Sequence, residues 1–185
     1  MDQFLEEVVT PKSKGMQSLL IILANIVWVI FAIYAFLQMQ NVTLAIATEG
    51  LTLNVLIYAV QMIVFGGLAV LIFLRKDRLK TEYEYTFTNA QMDFAQVYNN
   101  RKRKNLGTMN IRNVEACGLV SSGSFQRYIN MQGVKRTNWF LNREAELLYF
   151  YFQKENNKRI IIIEPSEEMI ALIKRNLPQG VWQNN

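Results

Sequence analysis

Four consecutive cations, Arg101-Lys102-Arg103-Lys104, follow Asn99-Asn100 and form the densest charge in the chain. Such a run can grip phospholipid head groups, nucleic-acid phosphates or an acidic protein surface. A second basic belt, Arg75, Lys76, Arg78 and Lys80, lies upstream of it. Covalent catalysis needs a nucleophile, a base and a group that orients the base. The chain has one cysteine, Cys117, and no histidine, so the thiol lacks its usual base and reads as a small core residue. Carboxylates pair at Glu82 and Glu84 and at Glu167 and Glu168. The first pair reads as the wet side of an amphipathic strand, the second as compensation of a helix dipole. Gly118 and Gly123 have the spacing of a phosphate-binding loop, but Ser124 stands where the lysine of that loop belongs. Without histidine, a second cysteine or a D-x-D-x-D run, no metal and no cofactor are expected. No residue is assigned to catalysis, and the chain is not expected to be an enzyme.

What must position the two basic clusters is set by an uneven distribution of charge. Residues 1–74 carry −2, with Lys12 and Lys14 their only cations, whereas residues 75–185 carry +7. Gln17 to Leu37 and Leu53 to Leu74 are uncharged and apolar, each long enough for a hydrocarbon core of roughly 30 Å. They predict transmembrane helices over residues 16–38 and 53–74, with an extracytoplasmic loop over 39–52. The leader MDQFLEE is acidic and the first apolar run exceeds a signal-peptide core, so the first helix is expected to stay as an anchor. Lys12 and Lys14 before the first span, and Arg75 to Lys80 after the second, place both termini in the cytoplasm by the positive-inside rule. The expected location is the cell membrane, with two spans. Gly66-Gly67 offers small surfaces for helix contact, either within the hairpin itself or with another subunit. Residues 1–15 carry Phe4, Leu5, Val8 and Val9 at helical spacing, which predicts a short amphipathic helix ending at Pro11, lying in the interface or packed on the soluble domain.

After the linker 75–80 the period changes. TEYEYTFT over 81–88 alternates strictly, as a half-buried strand does. Asn89-Ala90 turns it into a second strand over Met92 to Tyr98, and Asn99-Asn100 supplies the next two-residue turn. The four cations therefore begin a third strand, with Arg101 and Arg103 on one face and Lys102 and Lys104 on the other. MNIRNVEACGLV predicts a fourth strand, and residues 121–146 give mixed signals. ELLYFYFQK and KRIIIIE form a last hairpin about Glu155-Asn156-Asn157. A helix follows, with Pro165 at its first position, Met169, Ile170, Leu172, Ile173 and Leu177 as its buried stripe, and Pro178 and Gly180 as its stop. Residues 179–185 are a tail. The expected fold is a membrane α-helical hairpin plus an α+β cytosolic domain over 81–178, an antiparallel barrel or sandwich closed by a C-terminal helix.

Strands at 83–87, 92–98, 147–152 and 159–163, then the helix EPSEEMIALIKRNLP, resemble the bacterial pleckstrin-homology-like domains. Together with the opening MDQFLEEVVT and two spans, the whole chain resembles a domain-of-unknown-function family of small clostridial-type membrane proteins. The resemblance implies a sheet barrel plugged by its last helix, and no particular activity. Phosphoinositide-binding members carry their cations in the first hairpin loop. Here that loop is Thr88-Asn89-Ala90-Gln91, so the resemblance does not extend to phosphoinositide binding.

Three roles remain open for Arg101 to Lys104: a solvated hairpin base, a patch against the anionic leaflet, or a protein contact. Nucleic acid is not expected, because exposed aromatics are not interleaved with the cations. Arg75, Lys76, Arg78 and Lys80 serve as a stop signal after the second span and also sit where each cation near an anionic leaflet gains about 1 kcal/mol. The function expected is that of an integral membrane protein presenting a pleckstrin-like module that docks a protein partner or the inner leaflet. The alternatives are a structural subunit, or homo-oligomer, assembled through the Gly66-Gly67 helix face, and a lipid-modifying enzyme.

Overall fold

The computed structural model describes residues 3–183. The chain forms two compact units, one of Met1–Lys12 with Thr81–Asn185 and one of Ser13–Lys80.

In the second unit the uncharged runs are helices α1 (Lys14–Glu49) and α2 (Leu53–Arg75). The second is helical over the whole of the second apolar run. The first runs well past residue 38, and at 1.5 Å per residue its length is about 54 Å. Most of the loop expected over 39–52 is therefore helix. Residues 39–49 contain no glycine or proline, and the hydroxyls of Thr43 and Thr48 donate to the carbonyls of Met39 and Leu44 at 3.0 Å each, satisfying themselves on the helix. The helix ends only at Gly50, whose φ of +73° suits a residue without Cβ. Edge-on ring contacts of Trp28 with Phe73, and of Phe31 and Tyr34 with Phe65, join the two helices.

The first unit contains two sheets. One has the order β1 (Phe4–Val9), β2 (Thr81–Thr88), β3 (Gln91–Tyr98), β4 (Lys102–Asn110), all antiparallel. β1 replaces the short helix expected in residues 1–15. Phe4 and Val8 have the spacing of one helix turn, but they face solvent, while Leu5, Glu7 and Val9 turn inward. A six-residue segment can satisfy its backbone along the open edge of β2, whereas an isolated turn of helix cannot. The turns at Asn89-Ala90 and Asn99-Asn100 have positive φ at both residues, as the two-residue hairpins require.

The other sheet is built from β5 (Ala116–Leu119), β6 (Lys135–Trp139), β7 (Leu148–Lys154), β8 (Asn157–Ile163) and β9 (Trp182–Gln183), in the order β6-β8-β7-β5-β9. Two of its pairings, β6 with β8 and β5 with β9, are parallel. The fourth strand expected over 109–120 is split. β4 ends at Asn110, whose side chain accepts from the Arg112 amide and starts a 3-10 turn, and β5 begins only at Ala116. Residues 121–146 hold α3 (Gly123–Ile129) and β6. The expected tail over 179–185 supplies β9; Asn184 and Asn185 lie outside the described residues. Helix α4 (Glu167–Asn176) begins two residues later than expected. Ser166 is its N-cap, with Oγ accepting from the Met169 amide at 3.2 Å, so Pro165 precedes the helix.

One core lies between the sheets. Tyr85, Phe87 and Phe94 from the first meet Phe150, Ile161 and Ile163 from the second, and Met169 and Ile173 of α4 join them. The outer face of the second sheet is covered as well: Phe125 of α3 packs on Tyr149, Tyr151, Ile160 and Ile162. The unbroken run Ile160 to Ile163 follows from that, since a strand buried on both faces needs no alternation. Among the described residues the two sheets share no ladder, so this α+β domain is an open pair of sheets and not a closed barrel.

Candidate functional site

Because β1 pairs with β2, the first connection of the sheet domain is not the Thr88 to Gln91 turn but the whole segment between Val9 and Thr81, which contains both long helices. The cation-bearing turn at Asn99-Asn100 is then the third connection. Its place follows from register: Tyr98 lies opposite Thr81 on one side and Lys102 on the other. With neighbouring strands 4.7–4.9 Å apart, Lys102 is roughly 10 Å across the sheet from the residue at which the chain returns from α2. Val9, where the chain departs, faces Tyr83 at the same end.

Arg101 to Lys104 are all exposed. Arg103 shares a face with Val97 and Glu82, and its Nε donates to Glu84 Oε2 at 2.6 Å. Lys102 and Lys104 lie opposite Tyr98 and Gln96 on the other face, which is the alternation expected from the sequence. Among the described residues Arg101, Lys102 and Lys104 have no carboxylate partner, so three of the four cations are open to a ligand and one is committed within the sheet.

The upstream belt divides differently. Arg75 closes α2, Arg78 lies in the 3-10 turn Lys76–Leu79, and Lys80 leads into β2. Lys76 Nζ donates to Asn25 Oδ1 at 2.6 Å and sits over the Phe73 and Trp28 rings, 4.8 and 5.3 Å from their centroids. It fastens α2 to α1 through a cation–π contact and a hydrogen bond. Gly66 and Gly67 also part ways. A Cβ on Gly66 would meet Ala35 Cβ at 3.7 Å, so this glycine lies against α1, whereas Gly67 has open space.

Both helices are long and apolar enough to cross a membrane. Only 6% of the most apolar stretch of α1 and 11% of that of α2 is buried, and Ile22, Ile33, Phe36, Ile63 and Val70 stand more than half exposed. The core helix of a soluble protein would be mostly covered, so these faces call for an apolar surrounding.

The other sequence candidates fall into structural places. Glu84 holds Arg103, and Glu167 and Glu168 occupy the first turn of α4. Gly118 belongs to β5, where a Cβ would approach the Gln183 carbonyl to 2.9 Å, so its glycine is required by packing against β9. Cys117 is fully buried, and desolvation pushes its thiol well above the ordinary range. The folded protein is expected to resist maleimide at neutral pH, with labelling appearing only as the sheet unfolds in urea. The raised folded-state value also sets a sign. This contribution to stability is complete below the thiol's unfolded value and is lost as pH rises above it.

Sequence reasoning missed the network that seats β1. Asn142 Oδ1 accepts from the Lys12 amide at 2.9 Å, and its Nδ2 donates to the Thr10 carbonyl at 3.1 Å and to Glu164 Oε1 at 2.6 Å. Tyr85 Oη donates to the Trp139 carbonyl and accepts from the Glu164 amide, with burial raising its pKa. An asparagine in a loop of mixed signals carries no periodic pattern that would reveal this.

A family model described as "Bacterial PH-like domain (DUF6106)" matches residues 1–183. No curated protein and no solved structure matches the chain.

Proposed function

The chain belongs to this family of bacterial PH-like domains, and from that premise we propose that it is a non-catalytic integral membrane protein. Its helical hairpin spans the cell membrane twice, and both termini and the PH-like domain are cytoplasmic. The cations of the β3–β4 hairpin rest on the anionic inner leaflet, leaving the rest of the domain to engage a protein partner. The observation that carries this reading is the strand register: both chain crossings between domain and helices, at Val9 and Thr81, emerge at the end of the sheet that bears Arg101, Lys102 and Lys104. Clustering there would serve no fold contact, since these three side chains are exposed and hold no carboxylate among the described residues.

At about 1 kcal/mol per cation near an anionic surface, three open cations are worth roughly 3 kcal/mol, falling with salt. The test uses the full chain in nanodiscs. Amide hydrogen exchange over residues 99–105 is expected to be slower in discs containing phosphatidylglycerol than in purely zwitterionic discs. The difference should vanish at high salt and in a variant with Arg101, Lys102 and Lys104 changed to serine, in which Arg103 and its ion pair are kept. Equal exchange in both kinds of disc would refute leaflet docking.

Assembly through the helices, as a structural subunit or homo-oligomer, is the rival. The contact of Gly66 with Ala35 favours packing within the hairpin over that rival, which is left with Gly67.

A further inference from the structure

We propose that the cleft between β4 and the β7–β8 hairpin binds a small organic anion, an apolar body ending in a carboxylate or phosphate, with Arg159 as its counter-ion. The cleft has a volume of about 330 Å³, the lower end of the range for small-ligand sites, roughly 300–1,000 Å³. Along the cleft β4 is irregular. The register slips between Phe94 and Ala95, leaving Leu106 as the extra residue of a bulge, and Gly107 follows at a φ of +140°. The two sheets part there without a ladder between them.

The lining separates into a floor and a rim. Phe94, Trp139, Phe152 and Ile161 form an apolar floor, with the first two rings 4.8 Å apart. Arg159 and Lys154 are its charged residues, and no carboxylate lines it among the described residues. Arg159 lies opposite Phe152 and beside Lys135 in the sheet, so its cross-strand neighbours offer it no negative charge. Its Nε is buried and meets no acceptor. A buried guanidinium nitrogen without an acceptor is costly, and a planar fork of donors is suited to a carboxylate or phosphate. Gln153 also borders the cleft, whereas the Thr108 hydroxyl is taken by Asp93 and the Asn110 Oδ1 by the Arg112 amide. Positive head site and apolar floor together select an anion with an apolar body over either an inorganic ion or a neutral hydrocarbon. This site is separate from the exposed cations of the β3–β4 turn, and neither reading depends on the other.

Met109 lines the cleft and is 8% exposed, so its methyl group reports occupancy. The full chain, carrying ¹³C-methyl methionine in zwitterionic nanodiscs, is titrated with hexanoate, hexyl phosphate and hexanol. Both anions are expected to move the Met109 signal saturably, with hexanol at least tenfold weaker. Arg159→Met should weaken hexanoate at least tenfold, and Arg159→Lys, which keeps charge without the fork, should fall between. Equal titration by hexanol and hexanoate, an unmoved Met109 signal, or unaltered binding in both variants would each overturn the proposal. Discs containing phosphatidylglycerol separate the sources of the anion. If the Met109 signal is already at its bound position there without probe, the ligand is a lipid head group; if it still requires hexanoate, the ligand is soluble.

Discussion

A chain in which residues 13–80 are replaced by a short Gly/Ser linker is expected to fold as a soluble domain with a cooperative thermal transition, whereas Thr81–Asn185 alone is not. β1 contributes six register positions along β2, from Phe4 opposite Thr88 to Val9 opposite Tyr83. It buries Val9, packs Leu5 on the core, and ties down both ends of α4: Glu7 Oε2 accepts from the Ser166 amide at 3.0 Å, and Gln3 Oε1 accepts from Asn176 Nδ2 at 2.6 Å. At about 1 kcal/mol net per hydrogen bond and about 1.5–3 kcal/mol per buried aliphatic side chain, its removal takes away most of a typical stability of 5–15 kcal/mol. It would also leave β2 as a new open edge, prone to pairing with another chain. The linker is sterically reasonable because Val9 and Tyr83 face each other on adjacent strands, as at a hairpin end. Circular dichroism melts and gel filtration of the two chains decide the matter. A fragment of 81–185 that melts within a few degrees of the linked chain would show that β1 is dispensable and that the helices are appended to the domain rather than inserted in it.

That insertion explains why the sequence was legible in some places and opaque in others. Alternation at 81–88 and 92–98 and the turn residues Asn89-Ala90 and Asn99-Asn100 are local signals, set by side-chain period and by turn conformations that few residues adopt, and they locate β2, β3 and the start of β4 within a residue. The two apolar runs were equally plain. β1 was not, because its partner lies across the helical insertion, and a short amphipathic segment reads as helix or strand according to what it finds to pair with. β6 and β9 escaped for the same reason: each pairs in parallel with a strand distant in sequence, and KRTNW and WQ carry little pattern of their own. Of the site, the existence and alternation of the four cations could be read, but their position beside Thr81 required the register. The cleft at Arg159 could not be foreseen at all, since KRIIIIE announces a strand and says nothing of where the facing sheet diverges.

Glu164→Ala is expected to cost about 3–4 kcal/mol, more than any surface carboxylate in the domain. One of its oxygens accepts from the amides of Leu141, at 3.1 Å, and Asn142, at 2.9 Å, and the other accepts from Asn142 Nδ2 at 2.6 Å. Hydrogen bonds to a charged acceptor are worth about 1.5–3 kcal/mol each, and removing the acceptor strands donors in a partly covered site. The damage reaches beyond the loop, because Asn142 is also the residue that holds Thr10 and Lys12. Glu164→Gln keeps an acceptor oxygen but turns an amide donor toward one of these N–H donors, so about 1–2 kcal/mol is expected. Asn142→Ala leaves the Glu164 carboxylate one donor short, since the backbone amides of Leu141 and Asn142 remain. A double-mutant cycle on the linked soluble domain should therefore give a coupling of about 1–3 kcal/mol between the two positions. Additive losses, or a Glu164→Ala cost below 1 kcal/mol in urea melts, would mean that water replaces the carboxylate and that β1 is seated by its ladder alone.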